Sequence, residues 1–265
     1  MTPGGEPGVS DFGISSGEPP SSRSPGPSGH GRGEDDDPRF ALAAAVRRVT
    51  ALVVGANVPD EEIRAATTAV DELADALAAA AGPGRRPRSQ PDPLGHPQDF
   101  FPTSPVIGFA NPVAPPVQVE VVDGELRGTA TFDDQYEGPP ACVHGGVIAL
   151  VFDEMLGAAN IAAGQPGMTG TLTVRYRRPT PIRTPLRLEA AFVSRERRKI
   201  TTRGAMYHGD ELTAEAEGIF IELIPERFIE VVGRHGATAE VMAQIRADAQ
   251  RHGIGGHEAP PGPDS

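Results

Sequence analysis

The sequence holds a single cysteine, Cys142, so no disulfide can close within the chain. That economy fits a reducing compartment, and the cytoplasm is the expected location. Residues 1–10 lack both a basic start and an apolar core, so no secretory signal is read there. Long hydrophobic runs are missing too. The longest low-charge stretch, 141–174, is interrupted by Asp153, Glu154 and several glycines, which makes it a poor membrane span. Basic residues are in deficit: 24 Lys and Arg stand against 36 Asp and Glu, a net charge of -12. A general nucleic-acid binder needs basic surface to displace counterions from phosphates, so that class is excluded. A local basic cluster on an acidic protein still suits an anionic ligand. Apolar residues reach only 38%.

What is abundant instead is glycine and proline, 32 and 28 in 265 residues. They concentrate in residues 1–37, a Gly/Pro/Ser-rich tail ending in an acidic run. Such a segment buries too little apolar surface to offset the entropy of ordering, and disorder is expected. Residues 38–82 read as a helical hairpin. Apolar positions from Phe40 to Val53 recur at helical spacing, Asp60 opens a second helix with Glu61 and Glu62 in its first turn, and Ile63, Ala66, Val70, Leu73 and Leu77 form one stripe. Residues 83–99 are a linker rich in Pro, Gly and Arg.

A compact domain is expected over 100–226. Strict alternation in 117–121, a turn at Asp123-Gly124, and the run 126–132 predict a hairpin. Residues 145–163 are nearly all small or apolar, too long for a strand, and predict a helix buried on most sides. Four strand-like runs follow at 169–176, 186–193, 200–207 and 212–223. One helix against a long antiparallel sheet is an α+β architecture. Residues 227–265 read as a short helix, 237–251, and a tail.

Asp153 and Glu154 are the only acids between Ala141 and Val174. A carboxylate near a core must be paired, hydrogen-bonded or shifted in pKa, so either they lie on a wet helix edge or pair with Arg175 or Arg177, or they serve chemistry. At the loop before the helix, His144-Gly145-Gly146 combines close backbone approach with free amides at a helix start, where developing negative charge is stabilised. The alternative is a tight turn with His144 as a cap. Cys142 and His144, two residues apart on a Gly/Pro-flanked loop, form a weaker candidate thiol–imidazole dyad. The histidines are otherwise scattered, and no metal site is expected.

His144-Gly145-Gly146-Val147-Ile148-Ala149-Leu150-Val151-Phe152-Asp153 resembles the signature of hotdog-fold acyl-CoA thioesterases, in the phenylacetate-pathway (PaaI-like) and THEM4-like superfamily. The likeness continues through 168–179, Gly204 and 214–221, covering about 111–223. It implies a hotdog fold, an antiparallel sheet wrapped around a central helix. It implies a homodimer or dimer of dimers with sites across the interface, and an acyl-CoA substrate with no cofactor beyond the coenzyme A it carries. Asp153 would act as general base on water or as nucleophile. Gly145 would donate its N–H to the thioester carbonyl, with Gly146 beside it. Thr169, from the opposite subunit, would orient the carboxylate or the water, and His144 would assist departure of the thiolate. Asn111-Pro112 resembles the family's Asn-Pro near the domain entrance. Arg197, Arg198 and Lys199 form a basic run suited to coenzyme A phosphates. Hotdog hydratases carry paired Asp and His about a turn apart on one helix, which His144 and Asp153 do not match. A second function class is a non-catalytic acyl-CoA-binding regulatory or interaction protein on the same fold; such proteins lack the carboxylate that Asp153 supplies.

Overall fold

The computed structural model describes residues 37–82, 102–115 and 117–222. The expected tail, the linker, Leu223 and the helix at 237–251 lie outside the described residues. Two helices come first, α1 (Pro38–Gly55) and α2 (Asp60–Ala80). Asp37 caps α1 by accepting from the Arg39 N–H at 3.0 Å, and a proline at the helix start gives up no needed donor. A hairpin follows, β1 (Gln118–Val122) and β2 (Glu125–Ala130), joined by Asp123 and Gly124, both at positive φ as a two-residue turn demands. After a single 3-10 turn (Asp134–Tyr136) comes α3 (Gly145–Ala162), then β3 (Gly167–Tyr176), β4 (Leu186–Glu196), β5 (Lys199–His208) and β6 (Glu211–Glu222).

The six strands form one sheet in the order β1-β2-β4-β5-β6-β3, and every neighbouring pair is antiparallel. The sheet packs on α3, the α+β hotdog arrangement. The buried side chains of α3 are Ile148, Val151, Phe152, Met155, Leu156, Ala159 and Asn160, an i, i+3, i+4, i+7 stripe that meets Leu126, Leu188, Ile200, Met206 and Phe220 from the strands. Burial is therefore one-sided. Leu150 and Ala162 on the other side are exposed, where a helix buried on most sides was expected; apolar composition alone does not report which faces a single chain covers. Among the described residues α3 is the one helix long and apolar enough to cross a membrane, and its packing against the sheet accounts for that character.

The path out of α3 places the site. Gly164, at φ 69°, takes the left-handed conformation that stops the helix, and the Gln165 N–H bonds back to the Asn160 carbonyl at 2.8 Å. The chain then returns along α3 as β3, pairing with β6 at the far edge of the sheet. A bulge between Thr169 and Thr171 interrupts that ladder, and bulges re-aim the side chains beside them.

Candidate active site

β3 runs antiparallel to α3, so residues near its start face the middle of the helix and residues near its end face the helix N-terminus. From Asp153 to Ala162 the helix advances roughly 13 Å at 1.5 Å per residue; a few extended residues at about 3.3 Å each recover most of it. Thr169 consequently donates its hydroxyl to Asp153 Oδ1 at 2.8 Å. Both residues belong to one chain. This corrects the expectation that Thr169 arrives from an opposite subunit: the tight turn after α3 brings it back to its own helix. At the other end, the Tyr176 hydroxyl donates to the Gly145 carbonyl at 2.8 Å.

His144 is the N-cap of α3, exposed, with φ -59° and ψ 132°. Its Nδ1 accepts the Gly146 N–H at 2.9 Å, so the neutral ring carries its proton on Nε2, where it can donate outward. The Val147 and Ile148 amides bond to the His144 carbonyl. The Gly145 N–H takes no acceptor among the described residues. Of the two glycines, then, Gly145 presents the open donor and Gly146 uses its own to fix the imidazole. His144 is therefore a cap, and the Gly145 N–H is left open beside it. Cys142 is partly buried and free, two residues before the cap.

Glu154 separates sharply from its neighbour. Its Oε1 accepts from the Ser104 hydroxyl at 3.1 Å, while Ser104 Oγ itself accepts the Val106 and Ile107 amides at 3.1 and 3.3 Å. Burial pushes the Glu154 carboxyl above the usual range, the Ser104 hydrogen bond opposes that, and the adjacent Asp153 charge adds to it. Neither Asp153 nor Glu154 meets an arginine among the described residues. Arg177 pairs instead with the buried Glu215 at 2.5 Å and Arg178 with Glu211 at 3.0 Å.

The loop 102–115 that holds Ser104 is braced from α1. Arg47 donates to the Asn111 carbonyl at 2.8 Å, and Phe40 meets Phe109 edge-on with ring centroids 6.3 Å apart. Asn111 is held within its own loop: its Nδ2 donates to the Thr103 carbonyl at 3.2 Å and its Oδ1 accepts the Val113 N–H at 3.0 Å. Each polar atom makes one bond that holds the turn, the ordinary use of Asn in loops, and each keeps a second position for another partner.

Arg197, Arg198 and Lys199 are exposed in the β4–β5 turn. Lys199 is in register with Ile221, and Glu222 with Gly167, so this turn lies at the C-terminal end of α3, far from His144 and Gly145 of the same chain. The chain brings Asp153 and Thr169 together, and separately His144, Gly145 and Gly146; the basic run is level with Met168 and Thr169 across β6, two strands away. Ser104 and Tyr176 went unassigned in the sequence. Tyr176 lies inside the quoted likeness but carries no chemistry signature, and Ser104 sits in a Pro-rich loop with no periodicity. Among the described residues, no three His, Cys, Asp or Glu side chains gather as a metal site would require.

Comparison with known proteins agrees with the fold. The family model of the Thioesterase superfamily matches residues 142–215. The acyl-coenzyme A thioesterase THEM4 of Xenopus laevis is 35% identical over 91 residues, covering 34% of this chain and 41% of that protein. Its counterpart from Mus musculus is 33% identical over 93 residues, covering 34% and 40%. The chain thus spans about two fifths of the length of these curated relatives. A solved thioesterase superfamily protein is 34% identical with a TM-score of 0.63, over 70% of this chain and 96% of that one. With a solved relative matched across nearly its whole length and the His144-to-Asp153 helix in place, this chain belongs to the thioesterase superfamily.

Proposed function

We propose that the protein hydrolyses an acyl-CoA thioester to the free acid and coenzyme A. The observation that carries this reading is the Asp153 carboxylate, half-buried on α3, held through one oxygen by Thr169 and paired with no cation among the described residues. In the reading, the other oxygen takes a proton from water as that water attacks the thioester carbonyl carbon. The alternative route, attack by the carboxylate itself, passes through an acyl-enzyme anhydride that water then cleaves. In either route the carbonyl oxygen becomes an oxyanion, which an open backbone N–H stabilises. Collapse breaks the carbon–sulfur bond, and the departing thiolate takes a proton from His144 Nε2 or from water. The names of the curated relatives support the acyl-CoA substrate class, and coenzyme A enters only as part of that substrate.

One chain cannot readily complete this site alone. Asp153 and Gly145 lie eight residues apart on one helix, about 12 Å along the axis and roughly 80° around it. A base, a water, a carbonyl and an amide span that only if strung out in a line. Supply of the His144-Gly145 end by a second copy closes the gap, and this agrees with the homodimer that the family resemblance implies. The composite differs from the first expectation in which parts cross: Thr169 stays with its own Asp153, and Gly145 comes from the partner copy.

The test is thiol release from short, medium, long and aryl acyl-CoAs. Asp153→Ala should fold normally and lose on the order of 10²–10⁴ of the rate, the usual worth of a positioned base. Wild type that binds acyl-CoA but releases no thiol from any of them overturns hydrolysis in favour of a binding role. For the composite site, Gly145→Pro removes the open N–H and sets its Cβ in van der Waals contact with Tyr176, 3.4 Å from the ring; proline is tolerated at the first helical position, and the ψ of His144 already suits a following proline. Mixing inactive Asp153→Ala and inactive Gly145→Pro chains should restore up to about a quarter of the wild-type rate, since random assortment makes half the dimers mixed and each mixed dimer carries one intact site. No recovery, with mixed dimers demonstrated, places both groups in one chain.

A further inference from the structure

Helix α2 stands out because none of its residues is buried. Its apolar side chains Ile63, Val70, Leu73 and Leu77 are all between 39% and 51% exposed. With Ala66 and Ala80 they recur at alternating steps of three and four, the spacing of a coiled-coil seam sustained over the whole helix. The positions flanking that seam are mostly small, Ala69, Ala74, Ala76 and Ala81, and let a second helix approach closely.

We infer that this face is an antiparallel interface with α2 of a second copy of the chain. A two-fold interface must be self-complementary, and the seam is. Antiparallel pairing about its midpoint sets Ile63 against Ala80, Ala66 against Leu77, and Val70 against Leu73. The outer layers join one large residue to one alanine and the central layers join Val to Leu, so no layer is empty or crowded. Charge at the helix ends favours this direction, while Asp71, Glu72 and Asp75 lie off the seam on the exposed side. Asp60, Glu61 and Glu62 fill the first turn, and Arg64 is the one basic residue in the helix. Parallel pairing would set the two acidic turns side by side. Antiparallel pairing separates them by nearly the full helix, about 30 Å, and opposes the helix dipoles.

The inference is independent of the proposed catalysis, and disulfide trapping in the full-length chain tests it. In a Cys142→Ser background, Val70→Cys and Leu73→Cys chains carrying different tags are mixed and oxidised. The antiparallel interface predicts that the mixed 70–73 disulfide is the dominant product, because those two positions share a layer. A Thr68→Cys control on the opposite face should stay unlinked. Since all three positions are exposed on a helix that contributes nothing to the core, the substitutions leave the fold intact; Val70→Glu with Leu73→Glu should lower the assembly's mass by light scattering while leaving the thermal melt of the sheet domain in place. Dominance of the 70–70 and 73–73 disulfides makes the pairing parallel and overturns the inference. So does the absence of any cross-link, which leaves the stripe to α1 or to another protein.

Discussion

The Tyr176 hydroxyl donates to the carbonyl oxygen of Gly145 at 2.8 Å, joining the last residue of β3 to the first residue of α3 across 31 positions of sequence. The peptide unit that carries the open Gly145 N–H is adjacent, so the phenol holds the amide's direction without touching a substrate. Tyr176→Phe deletes that bond and nothing else. A neutral hydrogen bond contributes about 0.5–1.5 kcal/mol, so kcat for thiol release should fall between about twofold and tenfold with KM little changed. Because Tyr176 is exposed, the melting temperature should stay close to that of wild type. An unchanged kcat means the helix start needs no such brace.

The Thr169–Asp153 contact is a charge-assisted bond and should matter more. Thr169→Val keeps the shape and removes the donor. Hydrogen bonds to charged groups are worth about 1.5–3 kcal/mol, which corresponds to a loss of roughly 10–100-fold in kcat/KM. Thr169→Ser retains the hydroxyl and should recover most of the rate. Equal impairment of both variants would point to packing at the Gly170 bulge instead of the hydroxyl.

The layout of the domain was legible in the sequence because it is written in periodicity. Alternation in 117–121, the Asp123-Gly124 turn and the apolar block from Gly145 each name an element without reference to its neighbours. The candidate site was legible where a residue type is unusual for its setting, as with Asp153 in an apolar helix or paired glycines at a helix start. It was not legible where the meaning depends on the path of the chain. Whether Thr169 meets its own Asp153 or a partner's depends on the turn at Gly164 and the direction of β3. Asn111 has the right chemistry for a ligand, and only the structure shows that two backbone groups in its own loop also hold its side chain. Arg197, Arg198 and Lys199 are basic and adjacent, yet the strand register carries them to the far end of the helix. Ser104 has no sequence signature, since its role comes entirely from the loop that α1 presses against Glu154.

Glu154 makes stability depend on pH in a defined direction. Burial raises its folded-state pKa, so the folded chain holds this proton more tightly than the unfolded chain does. The stabilisation from that tighter hold is fully present below the ordinary glutamate pKa and is lost as pH rises through the raised one. Glu154→Gln keeps an oxygen for the Ser104 hydroxyl and cannot ionise. It should therefore unfold at higher urea than wild type at pH 7–8. The difference should shrink on acidification and vanish below about pH 4, where glutamate is protonated in both states. Wild type more stable than the variant at neutral pH would show that the ionised carboxylate is favoured where it sits.

The last dependence lies outside the helix, at Gly138. This residue bonds to the Cys142 carbonyl at 2.9 Å and packs its bare Cα against the residue that caps α3. A methyl group there would stand 2.7 Å from the His144 Cα and 3.1 Å from its Cβ and Cδ2. The first of these is a backbone atom, so no rotamer change relieves the collision, and either the 137–143 loop or the cap must move. Overpacking of this kind costs about 1–3 kcal/mol. Gly138→Ala should accordingly lower the urea midpoint and also displace the His144 ring, releasing the Gly146 N–H from Nδ1. The displacement is read from the imidazole resonances of His144 by NMR, and the loss of stability from the unfolding curve. If the loop instead flexes away without moving the cap, stability falls while the His144 resonances and the rate of thiol release stay at their wild-type values.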